Sequence, residues 1–212
     1  MKETKETRIG RVENNDAFII GTIEQSFVTG EIDGETFYAT RVLTERTSGY
    51  EDKINVLISE KIFSSNMTVG KKIKIKGEFQ SENIKDDDGN SHLLLYFFVK
   101  EIEIANKFAE DRNNICLNAY ICKPTVYRKT PLGKKITDMM VAVHRPDGTS
   151  DYIPCIAWNM TARRLSGLKS GGRIRIVGRM QSREYFKTLP NGDKEKRVAF
   201  EVSIKRAFFV EE

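Results

Sequence analysis

The chain has 212 residues, of which 31% are charged and 39% hydrophobic, and a net charge of +5. Against a typical domain of about 150 residues, this length fits two compact domains of about 100 residues, each able to bury a core. A disordered polyelectrolyte is excluded, no apolar run approaches the ~20 residues of a spanning helix, and the polar residues 1–7 lack the apolar stretch of a secretory signal, so a cytoplasmic location is expected.

Strand-like alternation comes in two series. The first covers residues 17–23, 36–44, 53–58, 72–76 and 93–104, and the second 115–122, 136–144, 151–158, 173–177 and 197–209. Turn residues separate them: Asp33-Gly34, Asp88-Gly89-Asn90, Pro131-Leu132-Gly133, Pro146-Asp147-Gly148 and Pro190-Asn191-Gly192. One short helix per series is predicted between the third and fourth strands, over 60–66 and over 161–168. The latter carries apolar Ala162, Leu165 and Leu168, with Gly171-Gly172 as its stop.

The two series are related by duplication. Residues 70–82 resemble 171–183 at an offset of 101, with identity at Gly70, Ile73, Ile75, Gly77, Gln80 and Ser81 and with Lys72 and Lys74 matched by Arg173 and Arg175. We therefore expect an all-β protein with one short helix per domain: domains at 1–105 and 114–212, joined by a linker at 106–113. Five strands with a helix between the third and fourth is the order of an OB-fold barrel, although other five-stranded barrels share the pattern. Charge divides sharply between the copies. Residues 1–112 hold 16 basic and 21 acidic residues, a net of −5, and residues 113–212 hold 19 and 9, a net of +10. The basic half suits a polyanion.

Enzymatic chemistry finds little support. Cys116, Cys122 and Cys155 are odd in number, lie in apolar strand-like segments and read as buried reduced thiols. With His92 and His144 far apart and no Cys-x-x-Cys, neither a metal site nor a cofactor is expected. Asp86-Asp87-Asp88 could in principle hold Mg²⁺, but it precedes Gly89-Asn90 in a turn, where acidic residues serve the turn itself. There is no Ser-His-Asp or Cys-His set and no glycine-rich phosphate loop.

The second copy resembles the bacterial single-stranded-DNA-binding protein family. Three segments carry the likeness, in order along the chain: residues 128–145; 151–158 with the Ala162-Arg163-Arg164-Leu165 helix; and 171–185 followed by a strand ending Phe208-Phe209-Val210. The resemblance implies tandem OB-folds that bind single-stranded DNA without base specificity and coat it during replication, recombination or repair. It also implies association with the nucleoid. A pair of chains would supply the four barrels that the family assembles from single-barrel subunits. Members usually continue into a flexible tail with an acidic, aromatic tip that recruits replication proteins; here the chain ends at Val210-Glu211-Glu212, so recruitment by that route is not expected. A non-catalytic primosome-type scaffold and a single-stranded RNA binder are alternative readings of the same barrel.

Sequence-neutral binding needs cations for phosphates and flat side chains for bases. Tyr152, Trp158 and Tyr185 match the family's base-stacking positions, with core or interface packing as the alternative for each. Arg128, Lys129, Lys134, Lys135, Arg145, Arg179, Arg183, Lys187, Lys194, Lys196 and Arg197 form the basic set, much of it in two loops that correspond to the borders of the OB groove. Tyr127 is a further stacking candidate. Carried back by 101 residues, these aromatic positions fall on Glu51, Leu57 and Ile84, and Arg183 falls on Glu82. The first copy is thus expected to have a degenerate binding face. Tyr38, Tyr50 and the row Lys72, Lys74, Lys76 are its alternative contacts.

Overall fold

The computed structural model describes residues 14–85, 89–130, 132–188 and 192–210. Asp86, Asp87 and Asp88 lie outside them. The strands of the first half are β1 (Asn15–Ile23), β2 (Val28–Ile32), β3 (Glu35–Glu45), β4 (Glu51–Ser59), β5 (Lys72–Lys85) and β6 (Ser91–Ile104). The second half has β7 (Arg112–Ile121), β8 (Val126–Lys129), β9 (Lys135–His144), β10 (Ser150–Trp158), helix α1 (Asn159–Arg164), β11 (Arg173–Thr188) and β12 (Lys194–Phe209). Alternation of buried and exposed residues runs through β1, β4 and β7, as expected for strands with one face on a core.

Each half closes on itself. In the first, β1 pairs β3 at Thr22–Leu43 and β4 runs parallel to β6 at Val56–Phe97. In the second, β7 pairs β9 at Tyr120–Ala142 and β10 runs parallel to β12 at Cys155–Val202. The cores match residue for residue: buried Ile19, Val42, Ile54, Ile75, Phe79 and Phe97 correspond to buried Leu117, Val141, Ile153, Ile176, Met180 and Val202. Such an arrangement is a pair of OB-type barrels. Cys155 is buried, and burial pushes its thiol well above the ordinary range. Cys116 and Cys122, expected to be buried, are only half-buried, the first on β7 and the second just after it.

Three features depart from expectation. The short strands β2 and β8 extend each barrel by a hairpin against β3 and β9. No helix forms over 60–66: Ile62 and Phe63 donate their N–H groups to the Ser59 carbonyl in a single turn, and Phe63 stacks on Tyr38 at 3.8 Å. Ser64, Ser65 and Asn66 favour turns over helix, while Phe27 and Phe63, edge to face at 5.0 Å, pack against the core. In the second barrel the helix begins at Asn159 and is six residues long, with the Ala162 carbonyl accepting from the Thr137 hydroxyl at 2.7 Å.

The barrels join edge to edge through β1 and β7, antiparallel, with Ala17 opposite Ile115. These two residues are each other's counterparts, so a pseudo-two-fold axis passes between them and the contact is isologous within one chain. At Asn15 and Asn113 the backbone has turned to the partner barrel, and the side-chain amides replace the lost ladder. Asn15 donates to the Phe79 carbonyl at 2.8 Å and accepts from its N–H at 3.0 Å; Asn113 does the same with Met180 at 2.7 and 2.9 Å.

Two buried carboxylates fasten the seam. Asp52 takes a forked pair of bonds from Arg46 and accepts at 3.1 Å from the N–H of Ser182 in the other barrel. Asp151 takes the same fork from Arg145 and accepts at 2.7 Å from the N–H of Ser81. The serine hydroxyls return the contact, accepting from the N–H groups of Lys53 at 2.9 Å and Tyr152 at 2.7 Å. The stretch between β6 and β7 is tied down by Lys72, which bonds Asp111 at 2.7 Å and the Ala109 carbonyl at 2.8 Å.

Bulges at Gly77 and Gly178 bring the sheet backbones close together. A Cβ at Gly77 would lie 2.0 Å from the Phe98 carbonyl oxygen, and one at Gly178 2.3 Å from that of Ser203. Gly77→Ala and Gly178→Ala are each expected to destabilise by about 2 kcal/mol or more, since backbone on both sides must move. Asp52→Ala and Asp151→Ala should each cost about 2–3 kcal/mol, from loss of charged hydrogen bonds and an orphaned seam N–H. Denaturant unfolding of the four variants measures both; wild-type midpoints would refute the assignments.

Candidate nucleic-acid interface

An open groove of about 810 Å³ runs along the outer face of the second barrel and across the seam. Its floor in the second barrel is Trp158 at the end of β10, Arg179, Gln181 and Arg183 on β11, and Ser203 on β12. Lys134 and Leu132, from the turn before β9, form one lip. The other lip belongs to the first barrel: Arg46, Tyr50, Glu51 and Lys53, from the turn joining β3 to β4. That turn is closed by the Arg46 N–H on the Tyr50 carbonyl at 2.7 Å and held against β11 by the Asp52 clamp.

Trp158 is half-buried, with its indole N–H donating to the Ser203 hydroxyl at 3.2 Å. The ring is thereby fixed on the groove floor and stays outside the core. Arg179 lies beside Arg46 and Asp52, with its side chain 36% exposed. Burial and neighbouring Arg46 lower its pKa from the ordinary value, opposed by Asp52. Its Nε lies 3.6 Å from the Asp52 carboxylate, too long for a hydrogen bond, and has no other acceptor. Its Nη2 donates to the Gln181 amide oxygen at 3.0 Å, and the side chain presents its charge to the groove. Arg183 stands over Tyr185 at 5.7 Å and lies 3.5 Å from Glu201.

The remaining expected residues are dispersed. Tyr185, 36% exposed, sits on the β11–β12 hairpin opposite Arg197, which Glu195 holds at 2.8 Å. Lys196 pairs with Glu184 at 2.8 Å, and Lys194 is exposed nearby. Lys187 belongs to β11 on the same hairpin. Arg128 pairs with Asp138, Lys129 is exposed on β8, and Lys135 is half-buried at the start of β9. Tyr127, 40% exposed, is on β8. Arg145 is committed to the buried Asp151, which raises its pKa further. Tyr152, 46% exposed, lies six residues before Trp158 on β10, about 20 Å away at strand rise, beside Ser81 at the opposite seam. Trp158, Arg179, Arg183 and Lys134 are therefore brought together; Tyr152 and Arg145 are not with them.

Tyr50, one of the alternative contacts the sequence offered in the first barrel, does line this groove, and sequence reasoning missed Lys53 beside it. Tyr50 is 71% exposed, with the Arg46 guanidinium 5.8 Å from its ring centroid. Lys53, paired with Glu24 at 2.8 Å, lines the same lip. The other first-barrel alternatives are engaged: Tyr38 stacks on Phe63, and Lys72, Lys74 and Lys76 pair with Asp111, Glu103 and Glu101 at 2.7, 3.1 and 3.0 Å.

The offset of 101 between copies holds for β5 and β11, where Gly77 matches Gly178, so Ile84 does correspond to Tyr185 and Glu82 to Arg183. It fails for β4 and β10. Asp52 opposite Thr44 corresponds to Asp151 opposite Val143, an offset of 99. The counterparts of Tyr152 and Trp158 are consequently Lys53 and Ser59, not Glu51 and Leu57. The connection that contains α1 is two residues longer than its equivalent in the first barrel, which restores 101 by β11.

Residues 112–209 match the model of the single-strand binding protein family. Among curated proteins compared by sequence, none matches the chain. The wild-type single-stranded DNA binding protein from Thermus aquaticus superposes with a TM-score of 0.74 at 16% identity, covering 93% of each chain. A deletion variant of that protein superposes at 0.73 and 17% identity, covering 93% of this chain and 95% of the other. At such identity the likeness is one of fold, and it extends over both barrels. The second barrel, over residues 112–209, is similar along its length to the single-strand binding protein family.

Proposed function

We propose that the protein binds single-stranded DNA without base specificity and coats exposed strands during replication, recombination or repair, without catalysis. The observation that carries this reading is Trp158, fixed on the floor of an open groove beside Arg179 and Arg183. Trp158 offers a base a face of any sequence, and Arg179, Arg183 and Lys134 offer charge to the backbone. Tyr185 with Arg183 and Arg197 would continue the contact along the projecting hairpin, joined by Lys187, Lys194 and Lys196. Arg128, Lys129 and Lys135 would do so at the opposite border of the barrel. Two chains would provide four barrels, in the cytoplasm where the DNA lies.

Oligo(dT) is expected to quench the fluorescence of Trp158, the one tryptophan. Log K should fall with log[salt] at a slope of about −0.7 per phosphate neutralised. Trp158→Ala and Tyr185→Ala should each weaken binding by ~1–3 kcal/mol. Titration at several salt concentrations measures all three. A flat salt response, or a preference for duplex, would refute the reading.

A further inference from the structure

We infer that the strand leaves the second barrel across one seam only, onto the β3–β4 turn of the first barrel, where Tyr50 and Lys53 form the second half of the track. The inference rests on the single-strand reading above and adds to it which surface of the acidic half takes part.

The two seams are equivalent by the pseudo-two-fold axis, yet their chemistry is opposed. By strand register, Lys129 and Lys134 correspond to Glu31 and Glu35, because Lys129 faces Lys135 as Glu31 faces Thr36. Arg179 and Arg183 correspond to Glu78 and Glu82. Four cations on the second barrel are thus four carboxylates on the first. The groove floor changes in the same sense, with Ser59 in the place of Trp158. A polyanion on the first barrel's own groove would meet repulsion at each of these positions.

The first barrel instead contributes where it borders the second. The clamp of Asp52 on the Ser182 N–H holds the Arg46–Tyr50 turn against β11, beside Arg179 and Arg183. Tyr50 presents an exposed ring at this lip, stiffened by Arg46, which is itself held by Asp52. The equivalent turn at the other seam has Thr149, folded back onto Asp147 at 2.6 Å, in the place of Tyr50. One seam therefore continues the aromatic and cationic series of Trp158, Arg179 and Arg183; at the other, exposed Tyr152 stands in the place of Lys53, but the floor it borders carries Glu78 and Glu82.

The test uses the full chain and two oligo(dT) lengths: about 8 nucleotides, within reach of one barrel, and about 30, long enough for two. The double variant Tyr50→Ala/Lys53→Gln is expected to lose at least about tenfold in affinity for the longer oligomer and less than about threefold for the shorter. Its salt slope should also flatten by about 0.7 for one lost phosphate contact. Thr149→Ala at the other seam should match the unaltered protein on both lengths. Thermal melting confirms that the variants are folded, and light-induced cross-linking of the longer oligomer in the unaltered protein should mark Tyr50. If Trp158→Ala weakens binding while the double variant retains full affinity and slope, and Tyr50 is not cross-linked, the inference is overturned and the single-strand reading stands. If the unaltered chain binds neither oligomer, both are overturned.

Discussion

Two carboxylates with almost no exposure, Asp52 and Asp151, hold this molecule in its shape. Each is a charge taken out of water, tolerable only because an arginine fork and a backbone N–H from the other barrel meet it together. Remove the facing strand and the acid loses a partner; remove the acid and the seam N–H loses its acceptor. The requirement is mutual, so the relative placement of the barrels is specified by polar geometry as well as by the β1–β7 ladder. The arginines of the forks are consequently fixed at the rims of the two seams, where they organise the turns that carry them.

That constraint connects the fold to the site. The groove on the second barrel would be an ordinary half-open surface if the β3–β4 turn of the first were free to move. The Asp52 clamp makes the turn a wall. It also explains why the Nε of Arg179 stays 3.6 Å from Asp52: that carboxylate is already occupied by Arg46 and the Ser182 N–H.

Much of this was legible in the sequence, and the failures have physical causes. Alternation showed the long strands, and the repeated Gly-x-x-Ile-x-Ile-x-Gly showed the duplication because both copies need a bulge glycine where the sheet backbones nearly touch. The offset read from that segment was extended to β4 and β10, where it is wrong by two. Loop length leaves no periodic signal, and only the buried Asp partners reveal the register. The helix expected over 60–66 rested on its position between strands, whereas Phe63 gains more by packing on Tyr38. Tyr50 was offered only as an alternative contact, and Lys53 escaped notice, because their place in the groove comes from the neighbouring barrel and nothing local to the acidic half marks it. Tyr152 was placed with Trp158 because both match the family's base-stacking positions, but a strand is long enough to reach two different seams.

The pseudo-two-fold axis between Ala17 and Ile115 has one more consequence. In a dimer of identical subunits every substitution appears twice, so a seam that gains an arginine gains it on both sides, and any track the dimer offers is matched by a second one running the opposite way. Joining the two barrels in one chain lifts that rule. Glu78 and Arg179 can differ, as can Ser59 and Trp158, while the cores beneath them stay equivalent. A polynucleotide has a chemical direction, 5′ to 3′, and a symmetric dimer cannot distinguish the two senses. A chain whose halves have diverged can seat a strand in a single sense, so successive molecules along one strand would all point the same way.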